Sequence, residues 1–198
     1  MDAKQLFQEA TTLADGCTRR VRPEHMGLPT PCSEWDLTKL LNHMVYELSW
    51  VPDMLAGKTV TDVGTKYDGD LLQSDPLAAW QRALAAAQAA VQQTDEDSVV
   101  HLSYADVPAK HYIRELGGDM LIHGWDVGQA LQSSLVMRPE LAQAVYDGVL
   151  PRADEFRQSG LFGTPLPAEQ ADNTQVKLLA FFGRSQDTWL ARLHTNVL

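Results

Sequence analysis

The sequence predicts an all-α protein, a four-helix bundle extended by further helices at its C-terminal end. Three observations lead there. Apolar residues recur at the 3.6-residue helical period in six separate segments. The single β-leaning patch, residues 99–104, is too short to carry a sheet alone. No internal repeat, low-complexity tract or linker divides the chain, so residues 1–198 are expected to form one domain, long enough to bury a full core.

Residues 2–22 read as the first helix, with Leu6, Phe7, Ala10, Leu13, Ala14 and Cys17 or Val21 inward and Pro23 as its stop. A link of three prolines and Gly27 leads to a second helix over residues 33–55. Ser33 is its expected N-cap, Asp36 the return partner of a capping box and Gly57 the C-cap. Leu37, Leu40, Leu41, Met44, Leu48 and Val51 form its apolar stripe, and Pro52 is expected to kink or end its last turn. Residues 57–74 are polar and glycine-bearing and read as a long loop of the kind that often covers a site. Asp75 and Pro76 then open an alanine-rich helix to residue 93, as N-cap and first helical residue.

The next helix, residues 112–131, is expected to bury one face through Ile113, Met120, Gly124, Val127 and Leu131. Its Gly117-Gly118 pair costs about 1 kcal/mol per glycine relative to alanine inside a helix. Three explanations fit that pair: close approach of another helix, room for a ligand, or a helix that starts only at Gly118. Two more helices follow. Residues 139–156 bury Leu141, Val145, Val149 and Phe156 and bend at Pro151; residues 172–182 follow the loop 160–167 and are terminated by Gly183-Arg184.

Composition excludes several functions. The chain is 44% hydrophobic and 21% charged, with 26 acidic against 16 basic side chains and a formal charge of −10. Nucleic acid and anionic membrane are not expected partners, since no Lys or Arg stripe exists. No apolar run approaches the ~18 residues of a membrane span, and the N-terminus lacks a signal-peptide pattern, so a cytoplasmic protein with reduced Cys17 and Cys32 is expected. There is no nucleophile elbow, phosphate loop or dinucleotide fingerprint.

The chemistry concentrates on two helices. Asp119 and His123 stand four apart on one helix edge, a spacing that lets a carboxylate and an imidazole close on one metal ion. A solvated or mutually bonded pair is the plainer reading of that spacing. His43, on the flank of the second helix, supplies a third donor along the seam where the two helices would meet. Glu47, one turn after His43, and Asp126, one turn after His123, are candidate hydrogen-bonding partners behind these residues, with a solvated Asp126 as the competing reading. His25, His101, His111 and His194 lack a partner at ligand spacing and are expected at the surface. Three protein ligands leave open coordination positions, the arrangement of a catalytic rather than a structural metal.

Three blocks, Thr30-Pro31-Cys32-Ser33-Glu34-Trp35-Asp36-Leu37 with Leu40-Leu41-Asn42-His43, His123-Gly124-Trp125-Asp126, and Phe181-Phe182-Gly183-Arg184 with Trp189-Leu190, resemble the DinB-like superfamily. Within it the likeness is to the metal-binding domain of mycothiol-dependent maleylpyruvate isomerases and their single-domain relatives. The resemblance implies a DinB-like bundle whose divalent ion, zinc first with nickel or iron as alternatives, is held by His43, Asp119 and His123. Asp119 departs from it, because the isomerase has Glu there and the thiol-transferase relatives have His. The implied function is a metal- and mycothiol-dependent transferase or isomerase acting on a small electrophile. The alternative is a non-catalytic metal- or small-ligand-binding protein of a stress response, with a homodimer left open.

Overall fold

The computed structural model describes residues 1–32, 34–154, 163–168 and 171–195. Four long helices build the body of the molecule: α1 (Ala3–Thr18), α2 (Leu37–Leu55), α4 (Pro76–Gln93) and α5 (Ala109–Ala130). Helix α1 packs along α5 and α2 along α4, and contacts of α2 with α5 and of α1 with α4 close the ring. A short α3 (Val60–Val63) follows α2, and the hairpin of β1 (Val99–His101) and β2 (Asp106–Pro108) precedes α5. Helices α6 (Pro139–Val149), α7 (Thr174–Phe181) and α8 (Gln186–Thr195) complete the described chain.

Local chemistry explains most of the ends. Asp2 caps α1 by accepting from Gln5 N–H at 2.7 Å, and Asp75 caps α4 through Ala78 N–H at 2.9 Å. Helix α2 begins at Leu37, four residues later than expected, because Asp36 is itself the N-cap and accepts from Lys39 N–H at 2.9 Å. Ser33, the expected cap, lies outside the described residues, as do Phe156 and the side chain of His194. Pro52 does not end α2, which runs on to Leu55 before Gly57 takes a positive φ of 83°. Helix α1 stops at Thr18, short of residue 22. Pro151 sits in a 3-10 turn, Leu150–Arg152, that closes α6.

Two expectations change more. The segment 57–74 is not a bare loop. It contains α3, buries Val63 and Leu72, and is pinned to α2 where Asp53 accepts from Lys58 Nζ (2.8 Å), Lys66 Nζ (2.6 Å) and Tyr67 O–H (2.9 Å). The β-leaning patch also finds a partner, since β1 pairs antiparallel with β2 in the register Val99↔Pro108, Val100↔Val107, His101↔Asp106.

Helix α5 starts at Ala109, earlier than expected, and is buried on every side from Leu116 to Ala130 except at Asp119. A helix covered all round shows no single apolar face, so its hydrophobic period is weak in the sequence. Its glycines are where α1 comes closest. A Cβ on Gly124 would lie 2.8 Å from the Cα of Ala14, and one on Gly117 would lie 2.4 Å from Leu6 Cδ2 and 3.2 Å from Phe7 Cα. Of the three explanations for the glycine pair, close helix approach is the one observed at Gly117. Both glycines lie well inside the helix.

A candidate metal centre between α2 and α5

Helix α2 presents His43 about two turns after its cap at Asp36, and α5 presents Asp119 and His123 from adjacent turns of its buried middle. Among the described residues these three offer donor atoms that all lie within 4.8 Å of one another. His43 Nε2 is 3.5 Å from Asp119 Oδ2, and His123 Nε2 is 3.4 Å from Asp119 Oδ1. The two imidazole planes stand nearly perpendicular, at 81° with centroids 5.0 Å apart, so both rings turn a nitrogen toward the same carboxylate.

Behind His123 runs a buried chain of charge. Its Nδ1 lies 3.0 Å from Asp126 Oδ2, and an ionised carboxylate only accepts, so Nδ1 carries the proton and Nε2 is the nitrogen turned to Asp119. Asp126 is fully buried and receives Arg184 through Nη2 at 2.9 Å and Nε at 3.3 Å. Burial works against charge on all three groups, but their mutual attraction outweighs it. His123 is raised to about 9, with Asp119 and Asp126 countering its desolvation. Asp126 is lowered by Arg184 and His123. Asp119 is held below the usual carboxylate range by His123 and His43.

Glu47 is placed less closely than expected, its Oε1 3.9 Å from His43 Nδ1. Burial, reinforced by the Asp119 charge, pushes its carboxyl up to about 7. His101 bonds Asp106 at 2.8 Å in the exposed hairpin, far in role from the centre.

Three neighbours were not anticipated as site residues. Trp35 packs its ring against both imidazoles, with centroids 4.8 Å from His43 and 5.9 Å from His123. In the sequence Arg184 marks a helix end and one block of the resemblance; in the structure it is the counter-charge of Asp126. Cys32 lies 3.5 Å from Arg184 Nη2, and burial raises its thiol pKa despite that guanidinium. A signal for Arg184 existed in principle: a buried Asp one turn after a candidate ligand requires a cation, and the chain has only 16 basic side chains to search.

The donor set fits a divalent ion. Asp119 Oδ2 is buried and, among the described residues, makes no hydrogen bond of normal geometry, His43 Nε2 standing off at 3.5 Å; that is a costly state for a carboxylate oxygen unless a cation completes it. Two donors each about 2.0–2.1 Å from one tetrahedral ion lie about 3.4 Å apart, which the two His–Asp119 separations match, each to a different carboxylate oxygen, while the whole three-donor set falls within 4.8 Å.

Residues 7–128, more than half of the chain, match the family model described as the mycothiol maleylpyruvate isomerase N-terminal domain. The chain belongs to that family. Its fold is accordingly all-α and DinB-like. Two uncharacterized proteins of Mycobacterium tuberculosis, from strains CDC 1551 / Oshkosh and H37Rv, are each 29% identical over 189 residues, covering 93% of this chain and 99% of the relative. No solved structure matches it. The matched span contains all three candidate ligands and Asp126 but ends before Arg184, so the cation behind His123 lies beyond the family match. No helix of this family member, among the described residues, is long and apolar enough to cross a membrane.

Proposed function

We propose that this mycothiol-associated helical domain binds one divalent ion, zinc first, through His43, Asp119 and His123, and uses it with a low-molecular-weight thiol such as mycothiol in a transferase or isomerase reaction on a small electrophile. The observation that carries this reading is the convergence of the three donors on two helices around a carboxylate oxygen that has no hydrogen bond. When bound, the ion supplies Lewis acidity at its open positions, favouring the ionised form of a thiol or water near neutral pH.

The chain's own residues prepare that chemistry. Asp126, neutralised by Arg184, fixes the tautomer of His123. Glu47, with its carboxyl near 7 and partial exposure, stands one turn from His43 as a group able to take up a proton. A cleft of about 510 Å³ lined by Trp35, Lys39, Asn42, His43 and Tyr46 gives a small molecule access from the α2 side. A cytoplasmic location agrees with this reading, since a free thiol cofactor and two free cysteines call for a reducing compartment.

Metal analysis of protein purified without an affinity tag tests the first step, with about one equivalent of divalent ion expected. Calorimetry of mycothiol binding in buffers of different ionisation enthalpy tests the second. Binding only to the metal-loaded protein, with proton release, is expected. Equal thiol binding with and without metal would remove the thiol mechanism and favour a non-catalytic binding protein.

A further inference from the structure

The two histidines of the centre are held by different means. His123 is locked by the hydrogen bond to Asp126 and, through it, by Arg184. His43 makes no hydrogen bond among the described residues: Glu47 Oε1, at 3.9 Å from its Nδ1, is too far, and its side chain is 24% exposed. An imidazole ring rotates over a broad well about its last torsion unless something restrains it. A ligating histidine normally finds that restraint in an acceptor on its other nitrogen. At His43 the restraining position is filled by a ring. Trp35 lies 4.8 Å away, centroid to centroid and tilted by 46°, and extends to within 5.9 Å of His123.

Trp35 is itself well anchored. Its backbone N–H donates to Cys32 O at 2.9 Å, and the hydroxyl of the buried Thr30 donates to the backbone carbonyls of Trp35 at 2.7 Å and of Cys32 at 3.1 Å. A bridge between Pro29 and Asp36 and the bond from Leu37 N–H to Leu28 O tie both ends of the loop together. Asp36, the next residue, caps α2. The loop therefore fixes the Trp35 backbone relative to the helix that carries His43, and the indole is placed by its packing against the two imidazoles.

We propose that Trp35 is the positioning residue for His43, restraining the imidazole by ring packing where His123 is restrained by a hydrogen bond, so that Nε2 stays turned toward Asp119. This rests on the metal reading above. The same ring walls the cleft beside His43, so a molecule entering there touches the residue that holds the ligand.

Titration of the full chain with Co2+ tests the proposal. W35A should weaken Co2+ binding by about tenfold, the lower end of the loss seen when partners behind a metal ligand are removed. W35F keeps a ring in the slot and should recover most of that affinity, while H101A, in the hairpin away from the centre and its cleft, should bind as the wild type does. Proton–carbon spectra of the histidine rings separate positioning from a general structural role. In W35A the His43 resonances should shift and broaden while those of His123, still held by Asp126, keep their dispersion.

Equal Co2+ affinity in wild type and W35A would overturn the proposal and leave the metal reading standing. So would equal losses in W35F and W35A, or a W35A spectrum in which both histidines move alike. A wild type that takes up no Co2+ would overturn both readings.

Discussion

At the scale of single residues, the centre is a contest between burial and charge, decided by pairing. Asp126 is completely buried, and its ionised form is tolerable because Arg184 and His123 each donate to it. Removing one partner of such a pair strands the other. Arg184→Met should therefore destabilise the protein by about 3 kcal/mol, measured by chemical denaturation. The ligand trio makes a separate prediction. His43→Ala, His123→Ala and Asp119→Leu should each lose the metal while keeping helical circular dichroism, because most of the apolar core lies away from the site; His123→Ala should also lower stability, since it takes one donor from the buried Asp126. Asp119→Glu, which restores the residue of the isomerases, should still bind metal. His101→Ala, in the exposed hairpin, should bind as wild type does. Metal retained in His43→Ala but lost in His101→Ala would show that the α2 ligand is misassigned.

At the scale of elements, glycine is used where two helices nearly touch. A methyl group at Gly124 would meet the backbone of Ala14 at 2.8 Å, and neither helix can yield alone. Gly124→Ala should cost about 1–3 kcal/mol through overpacking. Gly16, on α1, and Gly148, on α6, have nothing within 4 Å, so alanine at either should stabilise by about 0.5–1 kcal/mol through helix propensity. Urea midpoints of the three variants would show the opposite signs. The segment after α2 depends on Asp53, whose carboxyl is held well below the usual range by hydrogen bonds from Lys58 and Lys66. A depressed carboxylate contributes stability that is fully present above its unfolded value near 3.9 and is lost as pH falls through the folded value. Asp53→Asn should thus be less stable than wild type at pH 7, with the gap closing below about pH 4 in denaturation curves taken across that range.

For the whole molecule, the C-terminal helices share the bundle's core. Leu141, Ala142 and Val145 of α6 and Leu178 and Leu179 of α7 belong to the same buried cluster as the residues of α1 and α5. The Trp189 indole N–H reaches Gln129 O at 3.3 Å, and Arg184 reaches back to Asp126. We propose on these grounds that residues 1–198 fold as one unit. A fragment ending at Leu131 should be insoluble or molten, lacking a cooperative thermal transition, because α5 would lose the cover over one side. A cooperative fragment 1–131 would show two domains instead.

The helical class, the cap at Asp75 and the placement of His43, Asp119 and His123 on two helices follow from local chemistry: side-chain period, capping groups and i to i+4 spacing act within a few residues and leave their mark on the sequence, whereas the shift of the α2 cap from Ser33 to Asp36 does not. The all-round burial of α5, the closeness of α1 at Gly117 and Gly124, and the folding of residues 57–74 onto Asp53 depend on which surfaces meet. So do the two neighbours that complete the centre. Trp35 lies eight residues before His43 in a loop with no helical period to place it, and Arg184 lies 58 residues after Asp126. Residues so far apart meet only when helix packing brings them together, which is why the three candidate donors stand out in the sequence while the groups packed behind them were decided by the tertiary structure.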